Sequence, residues 1–187
     1  MIKIVILASG SGSNAERITQ YFSSHKNVEI SYILSNKNDA FVLERAKKHG
    51  IKTKVFSNKE MKEQIEFLNL LKTEADFIVL AGFLLKVPEH IIKAFPNKII
   101  NIHPALLPNY GGKGMYGMHV HRAVKKNNET ETGITIHYVN ENYDEGAIIF
   151  QAKTALTTED TPETIANKIH ELEQQHFPNV IEQVINK

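Results

Sequence analysis

The fold follows from the amino-terminal stretch Ile2-Lys3-Ile4-Val5-Ile6-Leu7-Ala8-Ser9-Gly10-Ser11-Gly12-Ser13-Asn14. Its first seven residues are an apolar run that predicts a buried strand. Glycines and serines interrupt the run, and a helical pattern follows over residues 15–23. A strand, a short glycine-rich loop and a helix in this order are typical of the start of a βαβ unit.

The alternation of strands and helices continues along the chain. The patterns predict a strand at 28–34, a helix at 40–49, a short strand at 51–56, a helix at 61–72, a strand at 77–81 and a helix at 89–95 with Pro88 in its first turn. Such an alternation predicts a parallel sheet that is covered by helices on both faces.

The pattern changes after His103. The remaining patterns predict a helix near 119–126, two consecutive strands at 132–139 and 147–150, and a closing helix that begins at Pro162 after the capping hydroxyl of Thr161. Two consecutive strands favour an antiparallel edge. We therefore predict an α/β fold of three layers, with a mostly parallel, Rossmann-like sheet and antiparallel carboxy-terminal strands, in a single domain over residues 1–187.

Composition narrows the class of partner. The 187 residues include 22 basic and 21 acidic side chains, so the net charge of +1 offers no electrostatic footprint for nucleic acid or an anionic membrane. The absence of cysteine excludes a thiol nucleophile and a disulfide framework. The apolar run at the amino terminus is too short to span a bilayer. We expect a small-molecule partner and a cytoplasmic location.

The segment Asn101-Ile102-His103-Pro104-Ala105-Leu106-Leu107-Pro108 follows the apolar run of a predicted strand. Alternate residues of a strand share a face, so Asn101 and His103 are predicted to project together. An amide and an imidazole at one strand end can donate two hydrogen bonds to a developing oxyanion, and the imidazole can also transfer a proton. A histidine that only satisfies a core hydrogen bond is the alternative.

Asp144 lies in the turn-like segment Asn142-Tyr143-Asp144-Glu145-Gly146-Ala147. A carboxylate that reaches His103 would favour the protonated imidazole and fix its orientation, which makes the ring a competent proton donor. A simple turn is the alternative explanation of this segment.

The loop Gly10-Ser11-Gly12-Ser13-Asn14 is a candidate phosphate site. Glycines let backbone N–H groups approach an anion, and the amino terminus of the following helix adds partial positive charge. The loop lacks the Gly-Lys-Ser/Thr ending of a P-loop and the full spacing of a dinucleotide fingerprint. A tight turn between strand and helix is the alternative.

Taken together, the motifs resemble those of the phosphoribosylglycinamide formyltransferase family. The matching segments are Ser9-Gly10-Ser11-Gly12-Ser13-Asn14, Ser35-Asn36-Lys37, Leu80-Ala81-Gly82-Phe83, Asn101-Ile102-His103-Pro104-Ala105-Leu106-Leu107-Pro108 and Tyr143-Asp144-Glu145-Gly146. The resemblance covers nearly the whole chain in the same order. It implies the formyltransferase fold and the transfer of a formyl group from 10-formyltetrahydrofolate, as co-substrate, to the amine of glycinamide ribonucleotide in de novo purine synthesis.

The resemblance also implies roles for individual residues. The catalytic positions would be Asn101, His103 and Asp144. The acceptor ribonucleotide would be bound by Gly12, Ser13, Asn14, His170 and Glu173. The folate would be bound by Lys59, Leu84, Leu85, Lys86, Val87, Asn101, Asn140, Glu141, Asn142, Tyr143 and Asp144. Without the resemblance, the segment 84–87 would be taken as core packing and Glu173 as a solvated charge on a helix.

The mechanism expected from these positions is direct acyl transfer, with the oxyanion stabilised by Asn101 and protonated His103. The amine proton would leave through Asp144, by way of an ordered water or of His103. Residues 109–118 are glycine-rich and are expected to form a mobile lid. We expect no metal, although only one residue separates His119 from His121. His137 is either a core residue or a partner of the catalytic group.

Three other functions share part of this pattern. A methionyl-tRNA formyltransferase would be expected to carry a carboxy-terminal barrel and a basic surplus. A formyltetrahydrofolate hydrolase would be expected to carry an amino-terminal regulatory domain, whereas the first predicted strand here begins at Ile2. A non-catalytic nucleotide-binding module would use the Gly-Ser loop alone. The sequence does not fix the oligomeric state, for which monomer and homodimer are both expected possibilities.

Overall fold

A parallel sheet forms the amino-terminal part of the computed structural model, which describes residues 1–187 and divides into the units Met1–Ile100 and Asn101–Lys187. The elements of the first unit are β1 (Ile2–Leu7), α1 (Ser13–Phe22), β2 (Val28–Ser35), α2 (Val42–Lys48), β3 (Lys52–Val55), α3 (Asn58–Glu63), α4 (Ile65–Glu74), β4 (Phe77–Leu80) and α5 (Glu89–Ala94). Strand β1 pairs in parallel with β2 and β4, and β2 pairs in parallel with β3. Ile4 and Val5 of β1 are 0% and 1% exposed and point to opposite faces, as expected for a strand covered on both faces.

Strand β5 (Ile99–His103) runs from the first unit into the second. The second unit continues with α6 (Met118–Lys126), β6 (Glu131–Tyr138), β7 (Ile148–Ala155) and α7 (Pro162–Ile185). Strands β6 and β7 are antiparallel, and their register shifts between Ile136 and His137. The strand order of the seven-stranded sheet is β3-β2-β1-β4-β5-β6-β7. The predicted mixture of parallel strands and an antiparallel carboxy-terminal pair is therefore correct.

The start of α7 is fixed by a capping box and by Asp160. The side chain of Thr161 accepts a hydrogen bond from the Thr164 N–H at 3.2 Å, and Pro162 occupies the first turn. The Asp160 carboxylate accepts from Lys168 Nζ at 2.7 Å and from the Thr157 N–H at 2.8 Å. These bonds lower the pKa of Asp160 far below its ordinary range, and the bond from Lys168 has the largest effect. They fix the helix that carries two of the predicted binding residues.

Three predicted boundaries are wrong. Residues 61–72 are not one helix, because Gln64 is extended between α3 and α4, and the capping box of Ser57 starts α3 earlier than predicted. Strand β7 continues to Ala155, because its later residues pair with the first half of β6. Pro88 has extended backbone angles and is the N-cap residue of α5, so it precedes the helix and does not lie in its first turn. No helix combines the length and the apolar composition needed to cross a membrane.

Candidate active site

The end of β5 presents Asn101 and His103 two residues apart, on the same face of the strand. Asn101 is half-buried, whereas the side chain of His103 is 4% exposed. The chain that leaves β5 is held by Thr135 of β6, whose hydroxyl donates to the Ala105 carbonyl at 2.7 Å and accepts from the Leu107 N–H at 2.9 Å. These bonds satisfy buried backbone groups and fix the strand end that carries the two side chains.

Asp144 meets His103 from the loop between β6 and β7. One carboxylate oxygen, Oδ2, lies 3.5 Å from His103 Nδ1 and accepts a hydrogen bond of 2.9 Å from the Gly112 N–H. Asp144 has a left-handed backbone with φ of 57°, a conformation that Asp adopts more readily than most residues. The structure therefore brings the three predicted catalytic residues together, with the carboxylate facing one nitrogen of the ring.

His137 joins this group and fixes the amide of Asn101. Its Nδ1–H donates to the Tyr138 carbonyl at 2.8 Å, which leaves Nε2 to accept from Asn101 Nδ2 at 3.1 Å. Burial lowers the pKa of His137, although the Tyr138 carbonyl and the charge of Asp144 oppose this effect. With Nε2 as the acceptor, the NH₂ end of Asn101 faces His137, and the second N–H of that amide is left for a ligand. Both alternatives for His137 apply, since it is buried and also contacts Asn101.

The loop 109–118 closes on the same residues. The Tyr110 carbonyl accepts a hydrogen bond of 2.7 Å from His103 Nε2, so that both nitrogens of the ring face protein groups. A Cβ at Gly111 would lie 2.6 Å from Leu107 Cδ2 and 3.3 Å from Asp144 Cβ, which explains the absence of a side chain there. His103 Nε2 can donate to a substrate only after the Tyr110 carbonyl has released it. The mobility of the loop stays a prediction.

A cavity of about 360 Å³ adjoins Asp144. It is lined by residues of the loop after β5 and of the turn before β7, namely Leu107, Pro108, Gly111, Gly112, Tyr143, Asp144, Glu145, Gly146 and Ile148. Its volume falls within the range of small-molecule sites.

The residues predicted to bind the folate fall into separate groups. Within the first unit, Leu84 is 43% exposed and its N–H donates to the Ser9 hydroxyl at 3.0 Å, while Ser9 donates to Asn36 Oδ1 at 2.6 Å. Leu85 is partly exposed, Lys86 is exposed, Val87 is buried, and Lys59 is exposed on α3. Within the second unit, the segment after β6 has a partly exposed Asn140 and an exposed Glu141, Asn142 and Tyr143.

The predicted phosphate loop is shaped by Gly12. This residue caps α1 with φ of 75°, and its carbonyl accepts from the Glu16 N–H at 2.9 Å. Ser13 and Asn14 form the first turn of α1 and are partly exposed, so their backbone N–H groups lie at the positive end of the helix dipole.

His170 and Glu173 form a pair one turn apart on α7, with His170 Nδ1 3.7 Å from Glu173 Oε2. The hydrogen bond with Glu173 raises the pKa of His170 above its ordinary 6.5, and the charge of Glu171 adds to this effect, while burial opposes it. The interaction with Glu173 therefore stabilises the folded chain. This stabilisation is fully present at pH values below the pKa of His170 in the unfolded chain, and it is lost as pH rises through the raised pKa of His170 in the folded chain.

Replacing Glu173 by glutamine is expected to lower the pKa of His170 toward 6.5. The measurement is an NMR titration of the His170 ring, assigned with a His170→Gln variant. Glu171→Gln is the control and is expected to give a smaller shift, because Glu171 is the weakest of the contributing groups. An unchanged titration in Glu173→Gln would contradict the pairing.

His119 and His121 have different surroundings on α6. His121 is 5% exposed, its Nδ1 has no hydrogen-bond partner, and burial lowers its pKa. His119 is exposed, and its ring lies against Tyr116. No group of three or more His, Cys, Asp or Glu side chains is positioned to hold a metal ion.

Several contributors to the site were not identified from the sequence. The Tyr110 carbonyl and the Gly112 N–H are backbone groups, and backbone groups leave no residue signature. Thr135 was missed, whereas the sequence indicates His137, on the same face of β6, as a possible partner of the catalytic group; the period-two spacing of these polar residues within an apolar strand is the signal that points to Thr135. Gln151 of β7 adds hydrogen bonds to the Leu107 carbonyl and to the Thr135 hydroxyl.

The fold and the site define an α/β protein in which an amide, an imidazole and a carboxylate converge at the end of one strand. A family model described as formyl transferase matches residues 2–181. The chain belongs to the formyl transferase family.

Two proteins and one solved structure are similar to this chain over nearly its whole length. The phosphoribosylglycinamide formyltransferase of Bacillus subtilis (strain 168) is 36% identical, over 99% of this chain and 95% of that protein. The chloroplastic phosphoribosylglycinamide formyltransferase of Arabidopsis thaliana is 38% identical over 96% of this chain, which spans only 64% of the plant protein. The solved phosphoribosylglycinamide formyltransferase of Anaplasma phagocytophilum superposes with a TM-score of 0.89 at 34% identity, over 100% of this chain and 88% of that one. The predicted fold class and the resemblance seen in the sequence are confirmed.

Proposed function

We propose that this chain transfers the formyl group of 10-formyltetrahydrofolate to the amine of N1-(5-phospho-D-ribosyl)glycinamide, giving formylglycinamide ribonucleotide and tetrahydrofolate in de novo purine (IMP) synthesis. The observation that carries the proposal is the convergence of Asn101, His103 and Asp144. The names of the relatives support the same reaction.

Asn101 and His103 have the chemistry that this reaction needs. The acceptor amine attacks the formyl carbon, and the carbonyl oxygen becomes an oxyanion that receives hydrogen bonds from the Asn101 amide and from His103. When the bond from the formyl carbon to folate N10 breaks, His103 gives its proton to N10. No acyl group is attached to the protein at any step.

Asp144 supplies the negative charge opposite the His103 ring and takes part in removing the proton of the amine. Its carboxylate faces His103 Nδ1, which favours the imidazolium that the oxyanion requires. The attacking amine must lose a proton, and this proton leaves through Asp144, by way of an ordered water or of His103. The Gly112 N–H holds the carboxylate in place during the transfer.

Substrate binding is proposed at the positions that match the family. The phosphate of the acceptor binds the backbone N–H groups of the Gly12–Asn14 loop, and the ribonucleotide is further held by His170 and Glu173. The folate binds at Lys59, at 84–87 and at 140–144, where many side chains are exposed to a ligand.

Asn101→Ala is expected to raise the activation barrier by about 3 kcal/mol, which lowers kcat roughly 100-fold, because one oxyanion donor is lost. The KM for the ribonucleotide is expected to change little, whereas the KM for 10-formyltetrahydrofolate is expected to rise, because the resemblance also assigns Asn101 to folate binding. Steady-state kinetics measure both constants, and a kcat within about twofold of wild type would remove Asn101 from the oxyanion site.

The reaction is tested by a spectrophotometric assay of folate product formation from 10-formyltetrahydrofolate, run with and without glycinamide ribonucleotide. Turnover only with the ribonucleotide is the expected result. Turnover without an acceptor would identify a hydrolase instead. Binding of the ribonucleotide with no turnover would identify a non-catalytic nucleotide-binding module, and formylation of methionyl-tRNA would identify the tRNA enzyme.

Several expectations stay predictions. They are the cytoplasmic location, the single domain over 1–187, a monomer or homodimer, the independence from metal and the absence of nucleic-acid and membrane partners.

A further inference from the structure

The first residue of α2, Val42, contacts the proposed phosphate loop, residues 10–14. The Val42 N–H donates to the Gly10 carbonyl at 3.1 Å. A Cβ at Gly12 would lie 2.3 Å from Val42 Cγ2, and the backbone there is left-handed. The loop and the helix are therefore in close contact.

Arg45 adds polar contacts between α2 and the loop. Its Nε–H donates to the Ser11 carbonyl at 2.9 Å, and its guanidinium forms an ion pair with Glu16. The guanidinium carbon lies 5.0 Å from the centroid of the Phe41 ring, which holds the planar group from its other side. One side chain thus links α2, the loop and the first turn of α1.

Both partners of Arg45 place negative charge close to the loop. The Ser11 carbonyl oxygen carries a partial charge, and the Glu16 carboxylate carries a full one. The Ser11 carbonyl belongs to the loop itself, and Glu16 is the acidic residue in the first turn of α1. Each would repel a phosphate bound at the helix amino terminus, where the attraction depends on partial positive charges. His49 Nε2 is 3.6 Å from the second oxygen of Glu16, which leaves Arg45 as the permanently charged partner of that carboxylate.

We propose that Arg45 is a positioning residue for the acceptor phosphate, which it serves by anchoring the Ser11 carbonyl and by neutralising Glu16. The inference rests on the proposed function, because it requires a phosphate at the Gly12–Asn14 loop. It assigns Arg45 to substrate affinity and not to the chemical step, which is carried out by other residues.

The test compares Arg45→Gln with wild type and with Lys47→Gln. Lys47 is on the same helix and forms an exposed pair with Glu44, so its replacement removes one positive charge without a change at the loop. The measurements are the KM for glycinamide ribonucleotide, kcat, and the inhibition constant of inorganic phosphate. In Arg45→Gln we expect the KM and the inhibition constant to rise about tenfold, while kcat stays within about twofold. In Lys47→Gln we expect all three to stay close to wild type.

Two further variants separate the roles of Arg45. Arg45→Lys keeps a positive charge opposite Glu16 but has no Nε–H for the Ser11 carbonyl, so a smaller rise in the KM is expected. Glu16→Gln combined with Arg45→Gln removes the carboxylate that Arg45→Gln leaves unpaired. This double variant is expected to recover part of the lost phosphate affinity.

Thermal unfolding of each variant shows whether the chain is folded, and Arg45→Lys serves as the test if Arg45→Gln is not. An unchanged KM and inhibition constant in a folded Arg45→Gln, or a fall in kcat with the KM preserved, would overturn the inference while leaving the proposed function intact. Wild-type protein that binds neither inorganic phosphate nor the ribonucleotide would overturn the phosphate site itself.

Discussion

Replacing His103 by alanine is expected to lower kcat by roughly 1,000-fold or more, because the ring supplies both an oxyanion donor and the proton for the leaving nitrogen. The KM values for both substrates are expected to stay within about threefold of wild type, since the ring acts mainly in the transition state. The ring is 4% exposed and its Nε2 bonds the Tyr110 carbonyl, so it can donate to the oxyanion only after that carbonyl has released it. Steady-state kinetics with both substrates give the two constants.

The control for this prediction is His90→Ala, which removes an exposed imidazole on α5 and is expected to leave kcat unchanged. A second comparison, His103→Asn, keeps a hydrogen-bond donor but cannot transfer a proton. Its kcat should lie between those of wild type and alanine. Turnover of His103→Ala close to wild type would mean that another group protonates the leaving nitrogen.

The side chains of the site were predictable because their signals are local. Asn101 and His103 are two apart in a strand, so their common face follows from the period of two. Asp144 is in a turn that joins two consecutive strands. Period and turn chemistry do not give the distance between these groups, and the assignment of Asp144 to His103 came from the resemblance to a family.

The rest of the site depends on tertiary structure. The Tyr110 carbonyl reaches His103 only because the loop folds back over the strand end, and a backbone carbonyl is the same in every residue. The register of β6 and β7 shifts beside His137, where Ile149 of β7 has no partner in β6, and the alternation of β6 does not encode this shift. Tertiary packing likewise divides the helical pattern of 61–72 at Gln64, whose neighbouring helices each bury their own apolar side chains.

Gly12 has a structural role beyond the one that the sequence motif indicates. The sequence suggested that glycine lets the backbone approach a phosphate. The structure adds a second requirement, because Val42 occupies the space that a Cβ would need. Contacts of this kind join residues that are distant in sequence, and no local pattern predicts them.

Replacing Asp144 by asparagine is expected to lower kcat by roughly 100-fold or more, because a neutral amide does not balance the positive charge of a His103 ring that donates to the oxyanion. The side chain keeps its size and its oxygen can still accept from the Gly112 N–H, so the loop contact is expected to persist. Glu131→Gln removes an exposed charge at the start of β6 and serves as the control, with kcat unchanged.

Asp144→Ala separates the charge of Asp144 from its hydrogen bond to the loop, because alanine removes both the carboxylate and the acceptor of the Gly112 N–H. If the negative charge opposite His103 Nδ1 is what catalysis requires, Asp144→Asn and Asp144→Ala are expected to lose kcat to a similar extent, since both lack that charge. Steady-state kinetics of the two variants make the comparison, and thermal unfolding shows that each is folded. A loss confined to Asp144→Ala, with Asp144→Asn close to wild type, would instead mean that Asp144 acts by holding the loop through Gly112, because asparagine keeps that acceptor.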